Sequence, residues 1–283
     1  MADIRPMNFG EILDGALMIY RRHFGLFLKL ALAALSVPVL LLVYFGLRAV
    51  SEVMVNPVRT LLFLFPVGIL YYIATLVLTA GTIRIISDSY LGRAPRLQDA
   101  LALGLSKILP LIAVGLGKAI VLGLIMVGAG VVAGIFGAVL KGSAVGVLLI
   151  VTFVCVALWF TIFVACGYGV TTPVVVLEEL SSSFDAFSRS WDLTRNFKLK
   201  VLGLAVVTVL LCNVLPSQVL QAIANAVMRT APAAGIVLTV LAVILPLILA
   251  PVIAAVITLM YYDLRVRREA FDLQVLGQRL GII

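Results

Sequence analysis

Six long apolar runs divide the chain, at about Leu26–Val50, Leu61–Ile86, Ile108–Leu140, Val145–Leu177, Leu199–Leu215 and Gly235–Tyr262. A helix needs roughly 20 mostly apolar residues to cross about 30 Å of hydrocarbon. The pattern therefore predicts an all-α, polytopic membrane protein with six transmembrane helices. The third and fourth runs exceed one bilayer, which implies tilt or extension beyond it. The fifth run is short and ends at Pro216; the polar-faced stretch Ser217–Arg229 after it is expected to lie at the outer surface. Pro38, Pro66, Pro246 and Pro251 fall within spans, where a missing N–H and a bulky ring predict kinks. Asn213 is the expected donor to carbonyls freed by Pro216.

Shorter amphipathic pieces separate these runs. In the first, Asn8 and Glu11 have capping-box spacing, by which each side chain satisfies a free backbone donor. Phe9, Ile12, Leu13, Ala16, Leu17, Tyr20 and Phe24 follow at helical intervals and line one face. Leu97, Ala100, Leu101, Leu105 and Ile108 repeat the pattern, as do Phe184, Phe187 and Trp191. Asp14, Asp99 and Asp185 are 85 and 86 residues apart, and a small residue follows each: Gly15, Ala100 and Ala186. The expected architecture is a single membrane domain over 1–283, built as three hairpins, each preceded by an amphipathic interfacial helix. The approximate repeats are 8–92, 93–180 and 181–268, and 269–283 form a cytoplasmic tail, helical through Leu280.

Composition strengthens this picture. Apolar residues make up 63% of the chain and charged residues 12%, whereas soluble domains carry about half and about a quarter. So few charges cannot cover a water-facing surface. The net charge of +8 does not indicate a nucleic-acid partner, because the basic residues flank apolar runs instead of forming a face in water. Sixteen of the 21 Lys and Arg residues fall on one side of the predicted membrane, and only Arg48, Arg59, Lys141 and Arg229 on the other. The positive-inside rule then places both termini in the cytoplasm, and acids ahead of the first apolar run argue for a retained first span, in a bacterial inner membrane. Cys155, Cys166 and Cys212 all lie in apolar runs, without disulfide or zinc spacing.

Few residues suggest chemistry. Lys118 is the one charge well inside a span, and an intramembrane ionisable group is a candidate lipid or ligand contact. Its alternative role is to snorkel toward headgroups beside Lys107, eleven positions earlier. Arg21, Arg22, Arg265 and Arg267 sit at span ends and are candidate contacts for anionic lipid. Asp263 with Arg267, and Arg265 with Glu269, have i,i+4 spacing. Gly130 and Gly134 form a small-x-x-x-small pair suited to close helix packing, within the chain or between copies. His23, the lone histidine, has no nucleophile beside it, and there is no phosphate loop, metal-ligand cluster or acid pair with a histidine. No cofactor is expected.

Three stretches carry a family likeness: Arg5-Pro6-Met7-Asn8-Phe9-Gly10-Glu11-Ile12-Leu13-Asp14 with Tyr20-Arg21-Arg22, then Ala186-Phe187-Ser188-Arg189-Ser190-Trp191, and Tyr262-Asp263-Leu264-Arg265-Val266-Arg267. Together they resemble the membrane domain of some bacterial glycerophosphodiester phosphodiesterases. The resemblance implies a fold and a membrane location across nearly the whole chain. In enzymes of that family the catalytic barrel is a separate soluble domain; its acids and histidines have no counterpart here, so no catalytic role transfers. The expected function is a non-enzymatic scaffold or accessory subunit meeting lipids, a protein partner or a second copy. The alternative is a transporter or lipid-handling protein with a cavity between hairpins, and a membrane-embedded enzyme ranks third. Lys118 discriminates: a water-filled cavity around it favours transport, an amine among headgroups does not.

Overall fold

The computed structural model describes residues 5–52, 56–140 and 143–270, the side chains of 47–52 excepted. Every described element is helical: α1 (Phe9–Arg22), α2 (Phe24–Glu52), α3 (Pro57–Tyr90), α4 (Leu97–Ser106), α5 (Ile108–Leu140), α6 (Ala144–Gly167), α7 (Thr171–Leu177), α8 (Asp185–Thr194), α9 (Lys198–Val209), α10 (Leu215–Val227) and α11 (Pro232–Glu269). A π-helical segment, Leu210–Val214, joins α9 to α10. Six helical stretches are long and apolar enough to cross a membrane: Phe24–Gly46, Pro57–Tyr90, Ile108–Leu140, Ala144–Leu177, Lys198–Val227 and Pro232–Glu269. The chain is thus an all-α, multi-pass membrane protein. The expected tail lies in 271–283, outside the described residues.

The fifth span differs from its sequence reading. It does not stop at Pro216 but continues helical through Val227. The π turn explains how. Leu215 N–H bonds to Leu210 O, one residue further back than in an α-helix, and the widened turn makes room for the proline ring. Ser217 Oγ then donates to Asn213 O at 2.7 Å and Val214 O at 3.1 Å. These are back-bonds of a helical serine to its own turn, at carbonyls other than the one that Pro216 leaves free.

The helices group into two units, Met1–Leu109 with Gly203–Ile283, and Pro110–Leu202. In the first, α2 and α3 pair antiparallel: His23 Nε2 lies 3.1 Å from Ser89 Oγ at one end, and Phe45 stacks on Phe63 at the other. α4 then returns alongside α3. A Cβ on Gly81 would meet Ala100 O at 3.1 Å, and one on Gly104 would meet Val77 O at 2.8 Å. Contacts in reversed order at two levels mean that α4 lies lengthwise on α3, not flat across it. α1 runs the same way along α11, with Met7 at Asp263, Gly15 at Leu259 and Tyr20 at Ile248. In the second unit α8 packs on α6 and α7.

Each of these three helices turns at least one small residue inward. Ile12, Ala16 and Ile19 are buried on α1, Ala100 and Gly104 on α4, and Ala186, Ser190, Leu193 and Thr194 on α8. Small residues let backbones approach, and association within lipid depends on that close packing. Larger apolar side chains on the same helices point outward: Leu105 is 62% exposed and Phe184 61%. Part of the expected apolar faces is therefore turned away from the helix contacts.

Candidate functional site

In the first unit the polar groups converge where α11 ends. Asp263, fully buried, accepts a 2.7 Å hydrogen bond from Met7 N–H and a 3.0 Å bond from Arg267 Nε. Arg267 Nη2 in turn donates to Met7 O at 2.9 Å. A single acid–arginine pair thus takes both polar groups of one backbone residue 256 positions away, and ties α1 to α11. Arg265 bonds Glu269 at 3.0 Å and Tyr261 Oη at 3.2 Å. Of the four arginines expected at headgroups, Arg265 and Arg267 have protein partners, while Arg21 and Arg22 are exposed.

Neighbouring groups extend the cluster. Tyr262 stacks on Tyr90 and its hydroxyl lies 2.6 Å from Ser87 Oγ. Arg84 Nε sits 3.0 Å from the buried Asp88 carboxylate. His23 caps the C-terminus of α1, and its pKa lies below the usual 6.5 because of desolvation and then the Arg22 charge. The ring is therefore neutral at pH 7. Glu11 accepts from Asn8 N–H and from Arg5, each at 2.7 Å, fixing the start of α1.

The second unit has its own centre at the C-terminus of α6. Gly167 lies directly against the Trp191 ring, where any Cβ would collide. Its carbonyl accepts from Ser190 Oγ at 2.8 Å and Thr194 Oγ1 at 3.1 Å, which fastens α8 to the last turn of α6. Arg189 pairs with Glu178 at 2.9 Å. At the start of α8, Asp185 accepts from Ser181 Oγ at 2.6 Å and from Ser182 N–H at 2.9 Å. Those two bonds, in that order, hold its carboxyl below the usual carboxylate range. Lys198 Nζ lies 3.3 Å from the Phe163 ring centroid and 3.5 Å from that of Trp191, an ammonium held between two π-faces. A groove of about 300 Å³ opens beside these rings, lined by Tyr168, Phe187, Ser188, Trp191 and Asp192.

The pairing of α5 with α6 fixes the level of Lys118. Met126 Sδ meets Thr161 Oγ1 at 3.5 Å, and a Cβ on Gly137 would touch Ile150. Moving eleven residues along α5 moves eleven back along α6. Lys118, eight residues before Met126, then lies level with Gly169, eight after Thr161. That is past the end of α6. The contact of Gly117 with Phe187 places it at the same level. Lys118 thus lies level with the turn between α6 and α7 and has no hydrogen-bond or ion-pair partner among the described residues.

Gly130 and Gly134 face open space, with nothing within 4 Å of an added Cβ. They make no close contact among the described residues. The three cysteines are free, Cys155 exposed and the other two buried. No group of acids, cysteines and histidine among the described residues could hold a metal ion. The contacts of Gly167 and the Lys198 sandwich have no signature in the sequence pattern, where Trp191 enters as part of an apolar face and of the Ala186–Trp191 stretch. Comparison with known protein families, characterised proteins and solved structures found no match to the chain.

Proposed function

We propose that the chain is a non-enzymatic membrane scaffold or accessory subunit with its basic span ends in the cytoplasm. One observation carries this reading. Asp263 with Arg267 fastens α1, and Ser190 with Thr194 fastens α8, to neighbouring spans, while the long helices α5 and α6 leave most of their apolar surface uncovered. In the most apolar stretch of α5 6% of residues are buried, and in that of α6 11%, against 28% in α11. A helix pair this bare meets either lipid or another protein's spans. The likeness of the stretches around Asp14, Trp191 and Asp263 to the membrane part of glycerophosphodiester phosphodiesterases agrees with a membrane location and adds no catalytic residue.

The alternative, transport, is disfavoured by Lys118. Secondary transporters place substrate groups near the bilayer midplane, whereas a lysine level with the turn after α6 supports contact with headgroups. Purification in mild detergent followed by cross-linking mass spectrometry tests the scaffold reading. The expected result is one protein partner at fixed stoichiometry, cross-linked near α5 and lost when Val127→Trp and Val131→Trp are introduced; both side chains are exposed. Recovery of the chain alone, under conditions that keep other membrane complexes together, contradicts it.

A further inference from the structure

The π turn and α10 carry a polar stripe beside their inward face. Thr208, Cys212 and Ala224 are buried, and Pro216 and Leu220 between them half-buried, so every fourth residue faces inward. A strip of strict fours drifts around an α-helix of 3.6 residues per turn; the wider π turn at Leu210–Val214 takes up part of that drift. The residues one position later, Asn213, Ser217, Gln221 and Asn225, make up the stripe. Asn213 and Asn225 are exposed and the other two half-buried. Ser217 donates within its own turn. Gln221 Nε2 donates to Asn225 Oδ1 at 3.1 Å, which leaves the Gln221 side-chain oxygen and the Asn225 amino group without a partner among the described residues. The Asn213 amide makes no hydrogen bond among them, to the carbonyls around Pro216 included.

The length of the span keeps Asn213 inside the bilayer. The helical stretch Lys198–Val227 has 30 residues, and a crossing takes roughly 20. Every choice of that many consecutive residues from this stretch includes 208–217, so Asn213 lies in hydrocarbon whichever end sits at the surface. An amide there is costly without a hydrogen-bond partner, and side-chain amides join helices across a membrane for that reason. An amide is both donor and acceptor, so its own kind is a full complement. Two copies inserted in the same orientation hold Asn213 at one depth, and a two-fold axis along the membrane normal sets one against the other. Val206, Val209 and Leu210, exposed just before it, supply apolar flanks for such a contact. We propose that this stripe is where two copies of the chain meet, Asn213 of one bonded to the same residue of the other and Gln221 with Asn225 extending the ladder. The contact lies on other helices than α5 and α6 and does not depend on the partner proposed for them.

Purified full-length chains carrying either a donor or an acceptor fluorophore on a C-terminal tag are mixed in phosphatidylethanolamine–phosphatidylglycerol vesicles. Energy transfer is followed as the protein is diluted in lipid. Transfer above random proximity, with the stoichiometry of a pair, is expected. Asn213→Leu should weaken pairing by about tenfold at unchanged melting temperature, and Asn213→Gln should retain it. Val209→Cys in a cysteine-free background keeps the amide and should give a disulfide-linked dimer on oxidation; if Asn213→Leu melts early, this cross-link decides. Transfer no greater than random proximity overturns the proposal, as does pairing of Asn213→Leu equal to that of the unaltered chain. Reaction of Asn213→Cys with a membrane-impermeant thiol reagent in a monomeric chain overturns it too, and would assign the stripe to a water-filled cavity. Pairing that occurs only when another protein is added would assign the stripe to that protein's helix instead.

Discussion

At the residue scale, the Asp263 cluster makes the sharpest demand. Replacing Asp263 by Ala removes the acceptor of the Met7 N–H bond and one of the acceptors of Arg267, and a buried donor that loses its bond costs about 1–3 kcal/mol. Thermal melting in detergent should fall by several degrees, and α1 should become protease-sensitive before the spans do. The pairing of Asp263 with Arg267 was legible as an i,i+4 spacing, but its hold on Met7 was not, because no local pattern reports a contact 256 residues away. His23 offers a pH test. Its folded pKa is depressed, so the unfolded chain binds its proton more readily; the stability tied to neutral His23 is complete above about pH 6.5 and is lost as pH falls. Melting should decline on acidification, and His23→Gln should flatten the part of that decline due to this ring. An unchanged profile in the variant would remove His23 from the account.

At the element scale, the docked helices are held by what they lack. Gly104 lets α4 approach Val77 so closely that an added Cβ would lie 2.8 Å from the carbonyl. Gly104→Ala should therefore cost about 1–3 kcal/mol through overpacking, whereas Gly130→Ala, facing open space, should leave melting unchanged or slightly raised. Equal effects at the two sites would contradict the packing described. The sequence pattern sets Ala100 and Leu105 of α4 on one apolar face, and the structure divides them: Ala100 is buried against α3 and Leu105 points outward, because packing between helices in lipid rewards small side chains. The constant small residue after each aspartate was the available signal: Ala100 and Ala186 are both fully buried. The fifth span was cut short for a related reason. A proline breaks the hydrogen-bond ladder of an α-helix, and the π turn carries this one past Pro216. Ser217→Ala should cost about 1 kcal/mol, the value of one such hydrogen bond.

At the scale of the whole molecule, the six spans were readable because about 20 apolar residues are a physical requirement of the bilayer. What covers α5 and α6 was not readable, since lipid and a partner's helices ask for the same apolar surface. The proposed topology requires that the basic span ends lie on one side of the membrane. Single cysteines placed in a cysteine-free background test this most directly, using a membrane-impermeant thiol reagent on intact cells and on inverted vesicles. Gly92, Ser182 and Arg268 probe the basic ends, and Asn56, Ser143 and Thr230 the opposite ends, all exposed positions. The expected result is labelling of the first three only in inverted vesicles and of the last three only in intact cells; Gly92 and Asn56 reacting from the same side would contradict the arrangement.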